Sequence, residues 1–436
     1  MFAMALRNVR FQPGRLVSTL LAAFLGAGIV MAFASMFDTR SGPGVDETSG
    51  TSLEIAANVV GGYGTLLVFF SVASTMTVNV RQRAPELALL RSAGATPGQV
   101  RRMVIGESAV VALVGAALAV VPAWFGGRAL LDVFKDTDQV AADVDYVFGT
   151  MALSMGFGTT LVAAVGGAFL AVRRATRSAI GRPEQPRTRG RLVTAGVLAV
   201  VALGLLAATD TLESDDPLLM APAGYGAILL SVGLGMLAPT LLRFLTAPAR
   251  GTLSGMTLRQ GADRQSGVFL PLVSFVGMAT GTLYIQTVAS DTMKAAGVSQ
   301  TVDDKNIETL NLVVVGIIVV FACVMLINGL YAATSERVRE FGQLRLAGAT
   351  PRQVLVTVFA EGLALTVLGV VLGTGAAVTG ILAYSRARTG DLVPELSPAL
   401  WIVIAAIAVA STLVTTLGTA RHVLRVPAVE AASTGA

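Results

Sequence analysis

The sequence contains little cysteine, histidine and lysine, and each shortage excludes a class of site. Its single cysteine, Cys323, excludes an intramolecular disulfide and a cysteine-based metal cluster. Its single histidine, His422, excludes a metal site with two histidine ligands. None of the three lysines follows a glycine, so the sequence lacks the Gly-x-x-x-x-Gly-Lys-Ser/Thr phosphate loop of ATPases. We therefore expect no catalytic residue, no metal site and no cofactor in this chain.

Charged residues are also scarce, at 14% of 436 residues, whereas 54% of residues are hydrophobic. In a soluble domain, roughly a quarter of the residues are charged. The formal charge of +5 comes without a basic patch interleaved with aromatics, which argues against nucleic-acid binding. The charges form short clusters between long uncharged runs, the pattern of repeated membrane spans. Ten runs are candidate spans: 16–37, 55–80, 108–127, 147–172, 192–208, 218–242, 267–290, 309–335, 362–385 and 398–420.

The distribution of charge predicts the orientation of these spans. With the N-terminus inside, alternate loops hold 25 of the 32 Lys and Arg residues, and the opposite loops hold 19 of the 27 acidic residues. Cytoplasmic loops carry such a basic excess. Run 192–208 is the shortest, but without it every later loop would change sides and this sorting would be lost. We predict that both termini are cytoplasmic and that the protein lies in a bacterial cytoplasmic membrane.

One polar segment occurs twice. Residues 86–100 align without gaps on residues 340–354, with ten of fifteen positions identical at an offset of 254. The same offset relates charged residues that flank the segment: Arg83 to Arg337 and Glu107 to Glu361. These matches lie in polar loops, where composition does not force similarity. The duplication therefore indicates two homologous halves.

The repeat and the spans together predict an all-α membrane fold in a 4+2+4 arrangement. Residues 1–180 form the first four-helix repeat, 181–251 a linking hairpin, and 252–436 the second repeat. Because the hairpin crosses twice, both repeats have the same orientation, related by a pseudo-two-fold axis along the membrane normal. Such symmetry favours a binding site or passage at the seam between the halves.

Each copy of the segment is long enough for a short cytoplasmic helix and a turn; we call residues 83–100 and 337–354 the elbows. In the first elbow, Gly94 is placed to end the helix, and Thr96 and Pro97 to begin the next one. We predict an apolar face of Leu87, Leu89 and Leu90, and a charged face of Arg83, Glu86 and Arg91. Two rigid elbows around one axis suit a pair of identical cytoplasmic partners.

These residues resemble the FtsX-like permease family, the transmembrane subunits of MacB-type, or type VII, ABC transporters. The family pattern has an arginine and an acid, then Leu-Arg-x-x-Gly-Ala, a glutamine, and an apolar helix with an early glutamate. The first copy is Arg83, Glu86, Leu90, Arg91, Gly94, Ala95, Gln99 and Glu107. The second copy is Arg337, Glu340, Leu344, Arg345, Gly348, Ala349, Gln353 and Glu361. The ten-helix arrangement is most similar to bacitracin-exporter-type permeases, but their large extracellular domain is replaced here by a short loop at about 291–308.

The resemblance implies a partner ABC ATPase, in two copies, that binds ATP and Mg²⁺ and moves the elbows. The implied docking residues are those of the pattern between the arginine and the long helix: Glu86, Leu90, Arg91, Gly94, Ala95, Thr96, Gln99, Glu340, Leu344, Arg345, Gly348, Ala349, Thr350 and Gln353. The implied activity is export of an amphipathic or lipidic compound or an antimicrobial peptide, with a role in antibiotic resistance. The alternative is mechanotransmission, in which the permease transports nothing and regulates a cell-wall hydrolase.

Glu107 and Glu361 leave a third reading open. Acids within membrane helices can carry protons, which would indicate a secondary transporter. The competing interpretation is a glutamate at the membrane interface, paired with Arg101, Arg102 or Arg352 near the start of the same helix. We favour the ion pair, because each acid follows these arginines on the same helix.

Other polar and small residues within the spans favour packing roles. Asn79 and Asn328 are expected to form hydrogen bonds between helices, with substrate contact as the alternative. Two Gly-x-x-x-Gly pairs, Gly277 with Gly281 and Gly369 with Gly373, allow close helix approach. We expect these pairs to mark internal seams rather than an interface between copies of the chain.

Overall fold

The described part of the chain is helical and contains no strand, as the all-α prediction requires. A computed structural model describes residues 13–178, 188–213, 219–245, 266–295, 337–391, 394 and 396–429, together with 316, 319, 320, 322–324, 326, 327, 329–331 and 333–335. Predicted features at other positions, among them Asn328, lie outside the described residues.

The helices make up most of the described chain. In chain order they are α1 (Pro13–Arg40), α2 (Glu47–Ile55), a π turn (Ala56–Val60), α3 (Gly61–Gln82), α4 (Ala84–Ser92), α5 (Pro97–Asp136), α6 (Thr150–Ser178), α7 (Thr188–Thr209), α8 (Met220–Leu245), α9 (Ser266–Ala295), α10 (Val338–Leu346), α11 (Pro351–Thr389) and α12 (Pro398–Val423). A shorter apolar helix, Ala322–Ser335, lies between α9 and α10.

Nine helices in the described residues are long and apolar enough to cross a membrane. They are Thr19–Arg40, Glu47–Thr77, Pro97–Asp136, Thr150–Arg173, Gly190–Thr209, Met220–Leu237, Phe269–Thr292, Pro351–Thr389 and Pro398–Val423. They correspond to nine of the ten predicted runs, including the shortest. The tenth run, 309–335, lies partly outside the described residues, and its described part contains the helix Ala322–Ser335. The protein is therefore a multi-pass membrane protein.

Two helices are much longer than their apolar runs. Helix α5 has 40 residues and α11 has 39, where the sequence indicated spans at 108–127 and 362–385. At 1.5 Å per residue each helix is about 60 Å long, twice the hydrocarbon thickness of a bilayer. The difference arises because charged residues bound a membrane span without ending a helix. In both helices, polar turns precede the apolar run and reach back to an elbow.

The two repeats use equivalent helix contacts. Helix α1 packs chiefly on α5, and α9 packs chiefly on α11. Gly115 of α5 closes the first contact, since a Cβ at this position would lie 2.8 Å from the Cβ of Ala23. Gly369, at the same offset of 254 residues, closes the second, where a Cβ would collide with the Leu272 side chain. Equivalent glycines thus bring equivalent helices together.

The hairpin of α7 and α8 packs on the second repeat, with α8 lying against α9 and α11. A Cβ on Gly277 would lie 2.5 Å from that of Ser231, and one on Gly281 would lie 3.6 Å from that of Ala227. A Cβ on Gly373 would meet the backbone of α9, 2.9 Å from the Val273 carbonyl oxygen. The prediction that both glycine pairs mark internal seams is confirmed.

Both elbows lie at one end of the helix bundle. The C-terminal part of α3, the N-terminal part of α9 and the helix Ala322–Ser335 surround one recess, in which Gly329 packs on Pro271. Helix α9 runs antiparallel to α8, since Gly235 meets Leu270 and Gly281 meets Ala227, and parallel to α11, since Leu272 meets Gly369 and Gly281 meets Ala377. Helix α3 runs in the same direction as α8, because Gly62 meets Tyr225 and the later residues of both helices line the recess, so α3 ends and α11 begins at the same end of the bundle. We call this the elbow end, and the opposite end, where α3 and α8 begin, the far end.

Candidate functional site

Each elbow helix ends in a left-handed glycine. Gly94 has φ of +98° and Gly348 has φ of +97°. The N–H of Ala95 donates to the Leu90 carbonyl and that of Gly94 to the Arg91 carbonyl, both at 3.0 Å. This is the Schellman pattern, and the second elbow repeats it at 3.0 and 3.1 Å. The predicted helix ends are confirmed.

Each long helix begins with a reciprocal cap. The hydroxyl of Thr96 accepts from the Gln99 N–H at 3.3 Å, and the Gln99 side chain accepts from the Thr96 N–H at 2.9 Å. Thr350 and Gln353 form the same capping box at 3.3 and 2.8 Å. A cap of this kind contributes about 1 kcal/mol. The predicted starts of α5 and α11 are confirmed, and the turn between the two helices of each elbow is fixed at both ends.

One arginine joins each elbow helix to its long helix. In the first elbow, Arg83 lies 3.3 Å from the Glu86 carboxylate and 2.7 Å from that of Glu107. In the second, Arg337 lies 3.0 Å from the Glu340 carboxylate and 2.8 Å from that of Glu361. Each guanidinium therefore bridges a carboxylate on the short helix and a carboxylate on the long one.

This arrangement corrects the predicted pairing of the two glutamates. Glu107 and Glu361 do form ion pairs, but not with Arg101, Arg102 or Arg352, whose positions are exposed. Those arginines precede the acids on the same helix, and the Arg101 guanidinium lies instead 5.8 Å from the centre of the Phe169 ring on α6. The observed partners come from the preceding helix, which the turn folds back over the face that carries the glutamate.

The bridging arginines are largely buried, with side-chain exposures of 15% for Arg83 and 19% for Arg337. Burial by itself lowers the pKa of each guanidinium, but the hydrogen bonds and charges of the paired glutamates outweigh it and raise the pKa of both above its ordinary value. Both arginines therefore stay charged. The Arg337 guanidinium also lies 5.1 Å from the centre of the Phe341 ring, a cation–π contact.

An apolar cluster supports each elbow from below. Leu87 is buried with Val100 and Val104 of α5 and with residues of α6, and Phe341 occupies the same place in the second elbow. The prediction that Leu87, Leu89 and Leu90 share one face is wrong. Leu89 is 70% exposed and Leu90 is 42% exposed, because the nine-residue helix contacts the cluster only on the side of Leu87.

The elbow tips present most of the predicted docking residues at the surface. Exposed positions are Leu90, Gly94, Thr96, Gln99, Leu344, Gly348, Thr350 and Gln353, and half-buried ones are Glu86, Arg91, Ala95, Glu340, Arg345 and Ala349. Apolar side chains are exposed on both elbows: Leu89 and Leu90 on the first, Leu344 and Leu346 on the second. The two tips are thus similar surfaces at one end of the bundle.

Arg345 makes a contact that the sequence did not indicate. Its guanidinium donates to the carbonyl oxygens of Leu424 at 3.2 Å and Val426 at 2.7 Å, just past the end of α12. A basic group at this position satisfies carbonyls that have no partner within the helix. The second elbow is thereby tied to the last described segment of the chain.

Asn79 forms the expected hydrogen bond between helices. Its side-chain amide donates to the hydroxyl of Thr19 at 2.7 Å and joins α3 to α1. The predicted hydrogen bond between helices is confirmed for this residue.

A recess with a volume of about 30 Å³, partly open to the surroundings, lies at the seam between the repeats. Helix α3 contributes Leu67 and Ser71, α8 contributes Ile228, and α9 contributes Ser274; no charged residue lines it. The Ser274 hydroxyl is buried and has no hydrogen-bond partner among the described residues. The predicted seam between the halves therefore contains an apolar recess with unused hydrogen-bonding capacity.

The sequence analysis missed a pair of tyrosines near the far end of this seam. Tyr63 of α3 and Tyr225 of α8 stack edge to face, with ring centres 5.1 Å apart. The available signal was the Gly-Tyr dipeptide at 62–63, which recurs at 224–225. Its meaning depends on two helices that are distant in sequence and adjacent only in the fold.

The comparison with known proteins matches the two halves of the duplication separately. The sequence profile of the family described as FtsX-like permease C-terminal matches residues 58–180 and 312–428, which together make up more than half of the chain. Each match contains one elbow, its arginine and the paired glutamate. The comparison with curated proteins finds no match. By the profile, the duplicated elbows and the apolar helices, this chain belongs to the FtsX-like permease family, whose members are generally non-enzymatic membrane components of ABC-type systems.

Proposed function

We propose that this chain is the permease subunit of an ABC exporter in a bacterial cytoplasmic membrane, driven by two copies of a separate ATPase. The observation that carries the proposal is the presence of two elbows of the same construction at one end of the bundle. Each has a capped turn, an exposed apolar tip and an arginine bridge to a long helix. Two equal surfaces suit two equal partners.

The arginine bridges give the elbows a mechanical role. A force on α4 passes through Arg83 to Glu107 on α5, and a force on α10 passes through Arg337 to Glu361 on α11. Because the buried clusters under Leu87 and Phe341 also join these helices, each elbow and its long helix move as one body. Closure of an ATPase dimer would thus change the seam between the repeats.

The proposed arrangement keeps ten spans in a 4+2+4 layout, with repeats at 1–180 and 252–436, a hairpin at 181–251, and both termini in the cytoplasm. Nine candidate spans and the equivalent contacts of α1 with α5 and of α9 with α11 support it. In this orientation the elbow end faces the cytosol and the far end faces outward. ATP and Mg²⁺ belong to the ATPase, and this chain carries no cofactor.

The cargo we propose is an amphipathic or lipidic compound, such as an antimicrobial peptide. The recess at the seam supports this class, since its lining is apolar, contains serine hydroxyls and lacks charge. The ion pairs of Glu107 and Glu361 disfavour proton transport, because each carboxylate lies within 2.8 Å of an arginine whose charge is stable.

Charge placed on the elbow tips tests the proposal. We expect Leu89→Asp combined with Leu344→Asp to abolish co-purification with the partner ABC ATPase. The matched control is Leu212→Asp, an exposed leucine at the far end, which should leave capture unchanged. If the double variant reaches the membrane, keeps its melting temperature and still captures the ATPase, the docking assignment is wrong.

A further inference from the structure

Two glycine–tyrosine pairs interlock where α3 passes α8 near the far end. The Tyr225 ring covers Gly62, and the Tyr63 ring covers Gly224. At either glycine an added Cβ would collide with the phenol oxygen of the opposite tyrosine. Each tyrosine therefore occupies the space that a missing side chain leaves on the other helix.

Both phenols donate hydrogen bonds to the opposite backbone. Tyr63 donates to the Met220 carbonyl at the start of α8, and Tyr225 donates to the Asn58 carbonyl before α3. The two rings meet edge to face, at an interplanar angle of 80°. No charged group takes part in these contacts, so they respond to separation of the helices rather than to protonation.

The Asn58 carbonyl belongs to the π turn Ala56–Val60. The N–H of Gly61 bonds to the Ala56 carbonyl five residues back, which interrupts the regular ladder of α2 and α3. Such turns are found within helices frequently at functional sites. The bond from Tyr225 therefore reaches this helical segment at the point where its pitch already changes.

The pair lies between two larger bodies. Helix α3 packs on α1 and α6 of the first repeat, whereas α8 packs on α7, α9 and α11, and contact between α3 and α8 is small in comparison. The recess begins one helical turn below the pair, at Leu67 and Ile228. Separation of the tyrosines would therefore open the seam directly above the recess.

We propose that Tyr63 and Tyr225 form a latch that closes the far end of the seam, and that its release admits water to the recess. Coupling of this release to ATP rests on the proposed function; the latch itself does not. In the closed state the latch separates the serine hydroxyls of the recess from the far side of the membrane.

The latch is tested by the reactivity of a cysteine in the recess. Ser71→Cys in the Cys323→Ser chain places one thiol below the latch, and a water-soluble methanethiosulfonate reagent reports its access to water in nanodiscs. Tyr225→Phe keeps the ring and removes only the hydrogen bond. We expect it to raise the modification rate about five-fold, the effect of one neutral hydrogen bond on an opening equilibrium.

Gly62→Ala is the steric test, and we expect a larger increase because its Cβ displaces the Tyr225 phenol. Its control is Gly64→Ala on the same helix, where a Cβ would make an ordinary contact of 3.6 Å with Ile29. The control for Tyr225→Phe is Tyr331→Phe at an exposed position. If the Gly62→Ala variant does not fold, the modification rate of the Tyr225→Phe variant alone tests the latch. Rates in Tyr225→Phe that match wild type and the controls would overturn the latch.

The same thiol separates the latch from the proposed function. When the ATPase and a non-hydrolysable ATP analogue are added to the Ser71→Cys chain with both tyrosines intact, we expect the modification rate of the thiol to change. If the variants accelerate modification but the nucleotide-bound ATPase does not alter it, the latch is supported and the ATP-driven mechanism is contradicted.

Discussion

Arg337, the residue that directly precedes α10, and Glu361 of α11 form an ion pair with 2.8 Å between guanidinium nitrogen and carboxylate oxygen. Arg83 and Glu107 form the same pair at 2.7 Å, 254 residues earlier in the chain. A pair that joins helices 24 residues apart and recurs in both repeats fixes the angle between each elbow and its long helix. A partner that pushes on an elbow must therefore move the elbow and its long helix together.

Glu361→Gln tests this connection. The substitution removes a charge from a pair in which both side chains are less than a fifth exposed, and we expect a loss of about 1–3 kcal/mol of stability, since the arginine loses a charged hydrogen bond. ATPase binding should persist, whereas transport should fall. The control is Glu54→Gln, whose pair with Arg40 is more exposed and should contribute less than about 1 kcal/mol. Equal melting temperatures for the two variants would contradict the role of the pair.

The left-handed glycines give a second prediction. Gly348→Ala should destabilise the protein by about 1–2 kcal/mol, because φ is +97° and an L-residue is strained there, although no atom lies within 4 Å of the new Cβ. Gly98→Ala is the control: its surroundings are equally open, but its position is helical, where alanine is favoured. Thermal unfolding in detergent should separate the two, and a lower melting temperature for Gly98→Ala than for Gly348→Ala would contradict the assignment.

Two adjacent glycines of α6 give a third prediction. A Cβ on Gly167 would lie 2.6 Å from the backbone oxygen of Ala73 on α3, whereas a Cβ on Gly166 would meet nothing within 4 Å. We expect Gly167→Ala to lower the melting temperature and the yield in the membrane, because the backbone of α3 or α6 must move to make room for the Cβ. Gly166→Ala should match wild type. Wild-type behaviour of Gly167→Ala would show that α3 and α6 are not packed this closely.

The contact of Arg345 with the segment after α12 gives a fourth prediction. Arg345→Lys keeps the charge but cannot donate to both carbonyl oxygens in the same way, so trypsin should cleave after Arg425 faster than in wild type. Arg352→Lys, at an exposed position of the same elbow, is the control. An unchanged cleavage rate in Arg345→Lys would mean that the contact does not hold this segment.

The features that could be predicted from sequence are those set by neighbouring residues. Gly94 ends a helix and Thr96 begins one because their conformations and hydrogen bonds involve residues within a few positions. Span positions follow from composition over about 20 residues. The duplication was visible because Arg83 and Glu107 recur with the elbow.

The features that were missed depend on how separated helices meet. Glu107 was assigned a partner on its own helix, whereas the observed partner, Arg83, comes from a helix folded back over it. The buried side of α4 is decided by α5 and α6, so Leu89 could not be placed from its spacing. The interlock of Tyr63 and Tyr225 requires α3 and α8 to be adjacent, which no local pattern encodes.

The position of the elbow tips is the most direct test of the account. Single cysteines at Leu90 and Leu344 in the Cys323→Ser chain can be labelled with a membrane-impermeant maleimide, in intact cells and in inverted vesicles with and without the ATPase. We predict labelling of both sites only in inverted vesicles, and protection of both by the ATPase. Labelling of either cysteine from outside intact cells would contradict the proposal that the tips are cytoplasmic docking surfaces.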